Sequence, residues 1–167
     1  MPKVTIAIDQ ALKISGWCIY KDTDITDFGH FSISPTLPIE SRLHAILSHL
    51  DELYEKYEFS TLVFEDIQQQ NNAETFKKLA YVQAAILIWC YDRCVKFHIL
   101  SPSHWRSVIK DNCGVSFGRK RTEQKEAAVE FVTNKFPQIE QISSDEADAI
   151  CIGYAYLLEK NKDKSAF

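Results

Sequence analysis

The sequence is short of glycine, proline, paired cysteines, net positive charge and long apolar runs, and each shortage excludes something. Five glycines and five prolines in 167 residues leave no paired glycine-rich phosphate loops and no low-complexity tract, and no internal repeat is present. The longest apolar stretch, residues 79–90, is interrupted by Gln83 and is too short to span a bilayer. Cys18, Cys90, Cys94, Cys113 and Cys151 are odd in number and scattered, so no disulfide framework is expected and a reducing cytoplasm fits. Cys90 and Cys94 would share a helix face, but no second Cys or His pair stands nearby at ligand spacing, so they read as structural thiols. The opening Met-Pro-Lys-Val runs straight into a strand pattern, so no secretion signal is expected. A net charge of −4 runs against phosphate binding, which needs cations.

What is present fits one globular domain. Hydrophobic residues make up 46% and charged residues 25% of the chain, enough for a core. One domain is expected over residues 1–160, followed by a frayed polar tail over 161–167. Residues 3–9 are largely apolar on both sides of the alternation until Asp9, the pattern of a central strand buried on both faces. Residues 14–20 and 25–33 predict two more strands around the polar turn Lys21-Asp22-Thr23-Asp24. Leu43, Ile46, Leu47, Leu50, Leu53 and Tyr54 follow helical spacing. A short strand is predicted over 61–65, a long helix over 73–95 and a fifth strand over 97–100. Three further helices follow: from Pro102 to about Gly114, over 123–136, and over 143–158. Hairpins first and crossovers later give an α/β fold, a five-stranded mixed sheet flanked by helices on both faces.

Four carboxylates carry the chemistry. Asp9 and Glu65 each close a strand, and strand ends are where open sheets bind ligands. Asp145 and Asp148 are spaced i, i+3 and share one face of the last helix. Together they supply oxygen ligands for two divalent cations of the Mg²⁺ type, the equipment for phosphodiester hydrolysis. Each acid also has a plainer reading. Ser143-x-x-Glu146 is a capping box, and Asp145 would favour the helix N-terminus on its own. Asp9 alone can begin a turn, and Glu65 alone can be a solvated strand end. Asp148 lies deeper in the helix and capping does not explain it. The cations are clustered too, with Arg106, Lys110, Arg119, Lys120, Arg121 and Lys125 inside twenty positions.

These motifs resemble the RuvC family of Holliday junction resolvases, within the RNase H-like superfamily. The match covers nearly the whole chain, in Ala7-Ile8-Asp9, Ile14-Ser15-Gly16-Trp17, Val63-Phe64-Glu65 and Asp145-Glu146-Ala147-Asp148-Ala149. The resemblance implies an RNase H-like fold and a homodimer that nicks four-way DNA junctions symmetrically. It implies Mg²⁺ or Mn²⁺, two ions per active site, held by Asp9, Glu65, Asp145 and Asp148. It also implies Lys125, at the family's interval before the last acids, as a contact to the scissile phosphate. The alternative for Lys125 is a solvated helix lysine. Arg106 and Lys110 are candidates for a second family lysine. Two departures stand out: Gln10-Ala11 follows the first acid where many relatives have Pro-Gly, and Gln68 stands where bacterial relatives commonly carry an aromatic wedge. Junction distortion and sequence preference are therefore expected to be weak. The divergence resembles the phage-encoded branch, which would place the protein in a bacterial host's cytoplasm.

The segment from Gly114 to Arg121 reads as a mobile loop whose Arg119, Lys120 and Arg121 meet DNA phosphates. Phe117 can stack on a base, but the reading in which it tucks against the domain is favoured. The helix over 73–95 is apolar all round and implies burial within the domain or at a dimer axis. His104 reads as a surface or capping residue. Three rivals stay open: a nuclease on other branched DNA, RNA or hybrids; a non-catalytic DNA-binding dimer; and an actin-like ATPase fragment, which is normally far longer.

Overall fold

The computed structural model of the chain describes residues 1–69 and 71–165. Strands β1 (Val4–Asp9), β2 (Ile14–Lys21) and β3 (Asp24–Ser32) form an antiparallel meander. Helix α1 (Ile39–Tyr57) leads to β4 (Thr61–Glu65), parallel to β1. Helix α2 (Ala73–Asp92) leads to β5 (Lys96–Leu100), parallel to β4. Helices α3 (Pro102–Cys113), α4 (Arg121–Lys135) and α5 (Ser144–Ser165) complete the chain. The sheet order is β3-β2-β1-β4-β5. This is the five-stranded mixed sheet with helices on both faces that the alternation implies.

Strand alternation decides which helices cover which face. Ile6 and Ile8 of β1, with Leu62 and Phe64 of β4, point into a core closed by α1 and α2. Ala7 and Val63 point the other way, into a core closed by α3, α4 and α5. One step further along each strand, Asp9 and Glu65 fall on the same face as Ala7 and Val63 by the same period of two. Both acids are therefore directed toward the α5 side.

Helix α5 lies unusually close to the sheet because its buried face is small. Ala147, Ala149, Gly153 and Ala155 are fully or nearly fully covered. A β-carbon on Gly153 would stand 2.8 Å from the Ala7 β-carbon and 2.4 Å from the Tyr20 ring. The Tyr20 hydroxyl donates to the Ile150 carbonyl at 2.7 Å inside this layer, so the buried phenol is satisfied.

The structure moves several boundaries. Helix α1 starts at Ile39, after Pro38 fixes the extended cap. Helix α2 stops at Asp92, short of residue 95, because Cys94 takes a left-handed φ of 54°. Cys90 is buried and Cys94 exposed, so they do not share a helix face. The tail expected to fray from residue 161 instead continues α5 to Ser165 as exposed helix, and residues 166–167 lie outside the described residues. Among the described residues no helix is long and apolar enough to cross a membrane.

Candidate active site

The ends of β1 and β4 are joined beyond their backbone ladder. That ladder reaches Ile8↔Phe64. Past it, the Gln10 side-chain amide stands in for a neighbouring strand: the Glu65 N–H donates to Gln10 Oε1 at 3.2 Å, and Gln10 Nε2 donates back to the Glu65 carbonyl. A side-chain amide thus holds the two acid-bearing strand ends together. The turn that follows is tied down as well. The Ala11 N–H donates to Ser15 Oγ at 3.0 Å, and the buried Arg42 of α1 donates from Nη2 to the Leu12 carbonyl.

The first turn of α5 is seated on this same end of the sheet. Asp9 pairs with Gly16, and Gly16 pairs with His30, so the three form a row across β1, β2 and β3. A β-carbon on Gly16 would lie 2.0 Å from the Asp145 carbonyl oxygen, so only glycine lets the helix backbone approach here. The expected capping box is present: the Glu146 N–H donates to Ser143 Oγ at 3.2 Å and the Ser143 N–H to Glu146 Oε2 at 2.9 Å. His30 Nδ1 meets the other oxygen, Glu146 Oε1, at 2.8 Å. The helix start is thus fastened to the outer strand while Asp145 and Asp148 face the central one.

Asp9, Glu65, Asp145 and Asp148 all line one cavity of about 590 Å³, with Arg106, Arg121 and Lys125 in its wall. Burial and like charge together show in the titration of Asp9 and Asp148. Desolvation pushes the Asp9 carboxyl well above its usual range, and Asp148, Glu65 and Asp145 push it further. Desolvation, then the Glu65 charge, raises Asp148 from 3.8 to about 7, with Lys125 and Arg106 opposing. Glu65 is also raised by desolvation, against the Trp105 hydrogen bond and the Arg106 charge. Among the described residues the one ion pair to these acids is Lys125 Nζ to Asp145 Oδ1 at 3.6 Å.

An all-oxygen donor set with excess negative charge suits a hard divalent cation. The acids share a cavity and a field, not a closed cage: among the described residues no three His, Cys, Asp or Glu side chains stand close enough to form a ready-made metal-ligand group. Side-chain rotation within the cavity would have to draw them in.

A protein-family model described as crossover junction endodeoxyribonuclease RuvC matches residues 5–155. The chain belongs to the RuvC family. A crossover junction endodeoxyribonuclease RuvC of Brachyspira hyodysenteriae (strain ATCC 49526 / WA1) is 25% identical over 157 residues, covering 92% of each chain. The fold resembles that of Thermus thermophilus RuvC in complex with a Holliday junction substrate (TM-score 0.77, 15% identity, 96% of each chain). It also resembles the yeast mitochondrial Holliday junction resolvase Ydc2 (TM-score 0.65, 15% identity, 98% of this chain and 81% of that one). The RNase H-like architecture expected from the sequence is thereby established.

Within this RuvC-family frame, the cations divide into two groups. Arg106, Arg121 and Lys125 reach the cavity; Lys125 Nζ also donates to Ser144 Oγ at 3.3 Å. Lys110, Arg119 and Lys120 are exposed and lie outside its wall. Gln68 is exposed at the cavity rim. The segment Gly114–Arg121, expected to be a mobile loop, is held at its middle and near its far end. Phe117 is buried, and Glu123 Oε2 accepts from the N–H groups of Arg119 and Lys120, each at 3.1 Å. Phe117 is thus tucked, as favoured, against Trp105. His104 is a surface residue bonded to Glu159 at 2.7 Å.

Sequence reading passed over three contributors. Gln10 was visible only as a departure from Pro-Gly, and Gly16 only as part of a motif. Trp105, with Val108 and Ile109, has the spacing of a core residue; nothing in that spacing announces its bond to Glu65.

Proposed function

We propose that this protein is a metal-dependent endodeoxyribonuclease that resolves four-way DNA junctions by symmetric nicking as a homodimer. The observation that carries the reading is the convergence of Asp9, Glu65, Asp145 and Asp148 in one cavity with cations on its wall. Asp9 and Glu65 from the sheet, and Asp145 and Asp148 from α5, would hold two Mg²⁺ ions, with Mn²⁺ an alternative. Such ions, when bound, supply an activated water and stabilise the leaving oxygen. Lys125, Arg106 and Arg121 bind and orient the scissile phosphate from the cavity wall. Lys110, Arg119 and Lys120 hold the DNA backbone outside it.

The dimer is assigned to α2. Lys77, Tyr81, Ala84, Ile88 and Tyr91 are exposed at alternating four- and three-residue steps, which makes one stripe. Ile88 is 63% and Tyr91 83% exposed, unusual for large apolar side chains on a helix whose opposite face fills a core. A second copy related by a two-fold axis would cover the stripe and set two active sites against a nearly two-fold-symmetric junction.

The test is cleavage of a synthetic four-way junction in Mg²⁺ and in EDTA, mapped on all four strands. Paired nicks at symmetric positions, absent in EDTA, are expected; cutting that ignores the branch point would refute the reading. A broader substrate range is favoured by one observation. Phe117 is buried and Gln68 has no ring, so neither provides an aromatic wedge to demand a particular junction conformation. Y-shaped DNA and RNA–DNA hybrids belong in the same assay.

A further inference from the structure

The Trp105 ring touches three unlike things at once. Its indole Nε1 donates to Glu65 Oε2 at 2.7 Å. The Arg106 guanidinium lies 4.9 Å from the ring centroid. The Phe117 ring meets it edge-on, 5.4 Å between centroids at 86°. We propose that Trp105 is a positioning residue for Glu65, and that Phe117 couples it to the cationic segment that meets DNA.

The placement follows from the chain. Glu65 pairs with Leu100, the last residue of β5, and Ser101 then caps α3. The first turn of α3 is therefore fixed beside the end of β4, and Trp105 sits in it with no solvent exposure. An indole has one donor, no acceptor and no accessible titration. It cannot ligate a cation or take a proton, so its bond to Glu65 can only orient the carboxylate and favour its charged form. The bond engages Oε2; among the described residues Oε1 has no hydrogen-bond partner and is left for a cation. Charge-assisted bonds of this kind are strong and directional.

The other end of the contact is the loop. Phe117 is 6% exposed. Gly118 follows with a left-handed φ of 71°, then Arg119, Lys120 and Arg121, the last of which lines the same cavity as Glu65. A phosphate that draws these cations inward pulls on the residue packed against the indole. Glu65 is thereby best aligned when DNA is seated.

This inference rests on the nuclease reading above, and its experiment separates the two. In ¹⁵N-labelled protein the indole resonances of Trp17, Trp89 and Trp105 would be recorded, and that of Trp105 assigned by its loss in Trp105→Phe. Glu65→Gln and Mg²⁺ addition should each move the Trp105 resonance. Trp89, bonded to Asp51 on the opposite face of the sheet, should stay put and serves as the control. Trp105→Phe should keep junction affinity within about twofold, cut about tenfold more slowly at saturating enzyme, and need severalfold more Mg²⁺ for half-maximal rate. Phe117→Leu should shift the Trp105 resonance and weaken cutting in the same sense by less. Adding it to Trp105→Phe should cost little more. A Trp105 resonance indifferent to Glu65→Gln, or wild-type rate and Mg²⁺ midpoint in Trp105→Phe, overturns the inference. A Trp105 resonance that responds as stated in a protein that cuts no junction supports the positioning and overturns the nuclease reading instead.

Discussion

On each face of the sheet a tryptophan donates to a carboxylate beside an arginine, and the two triads end differently. In the α1–α2 layer, Trp89 Nε1 donates to Asp51 Oδ1 at 2.8 Å. Arg93 pairs with that same oxygen and packs 4.6 Å over the Trp89 ring. The charges cancel and the triad is closed. In the α3–α5 layer, Trp105 donates to Glu65, but Arg106 packs on the ring without forming an ion pair to the acid. Four more carboxylates, Asp9, Asp66, Asp145 and Asp148, line the same cavity. One sheet thus carries on one face a tryptophan-bound acid neutralised by its arginine and, on the other, a group of acids of which, among the described residues, only Asp145 has an ion pair. The first suits stability, the second suits a cation.

Neutralising the open face should have the largest effect. Asp9→Asn, Glu65→Gln, Asp145→Asn or Asp148→Asn should each slow single-turnover junction cleavage by about 100-fold or more. Binding measured by fluorescence anisotropy should change little, because the cations proposed to hold phosphate remain. Near-normal cutting by Asp9→Asn or Asp148→Asn would break the comparison at its root.

The closed face should respond in assembly instead. Ile88→Glu with Tyr91→Glu should convert the proposed dimer to a monomer in sedimentation velocity at micromolar concentration and uncouple the proposed paired nicks. A wild-type monomer that still cuts symmetrically would remove α2 from the mechanism.

The open face should also respond to pH. Asp148 holds its proton more tightly folded, at about 7, than its ordinary value of 3.8. The stability it contributes is complete below that ordinary value and is lost as pH rises toward and through 7. Metal-free protein should therefore melt progressively lower, by roughly several °C, between about pH 4 and pH 7. Mg²⁺ should reverse the loss, and Asp148→Asn should flatten the slope. Asp51→Asn, by contrast, should lower stability by only about 1 kcal/mol, since the Asp51–Arg93 pair is part-exposed. Thermal melts of the three proteins with and without Mg²⁺ decide this. The smallest effect is expected at the rim: Gln68→Phe should leave the overall rate near wild type and sharpen sequence preference in cut maps on mobile junctions. Confinement of wild-type cuts to one short consensus would show that Gln68 does not set the preference.

What was legible in the sequence follows from period and polarity. The alternation through Val4 to Asp9 and the run Thr61–Glu65 ending in an acid locate both strands and which way their acids point. The i, i+3 spacing of Asp145 and Asp148 puts them on one helix face. Contacts between distant segments leave no such periodic trace. Gln10 reaching Glu65, Arg42 reaching Leu12 and Trp105 reaching Glu65 join residues 55, 30 and 40 positions apart. A glutamine after a strand reads as loop, and a tryptophan at core spacing reads as filler. The end of α2 was misjudged because Val95 is apolar and continues the helical pattern, while the left-handed turn at Cys94 uses no glycine to announce itself.

The seat of α5 on Gly16 has a consequence for how such a sequence can drift. The distance from the helix start to the strand end is set by main chain meeting main chain, with the Asp145 carbonyl over the Gly16 α-carbon. Gly153 against Ala7 and Tyr20, and His30 against Glu146, hold the rest of the helix to the same spacing. Core residues can then be exchanged for others of similar volume, layer by layer, without changing how far Asp9 lies from Asp145 and Asp148. The same logic makes position 16 intolerant: any side chain there becomes a spacer under the helix, and every acid on it moves away together.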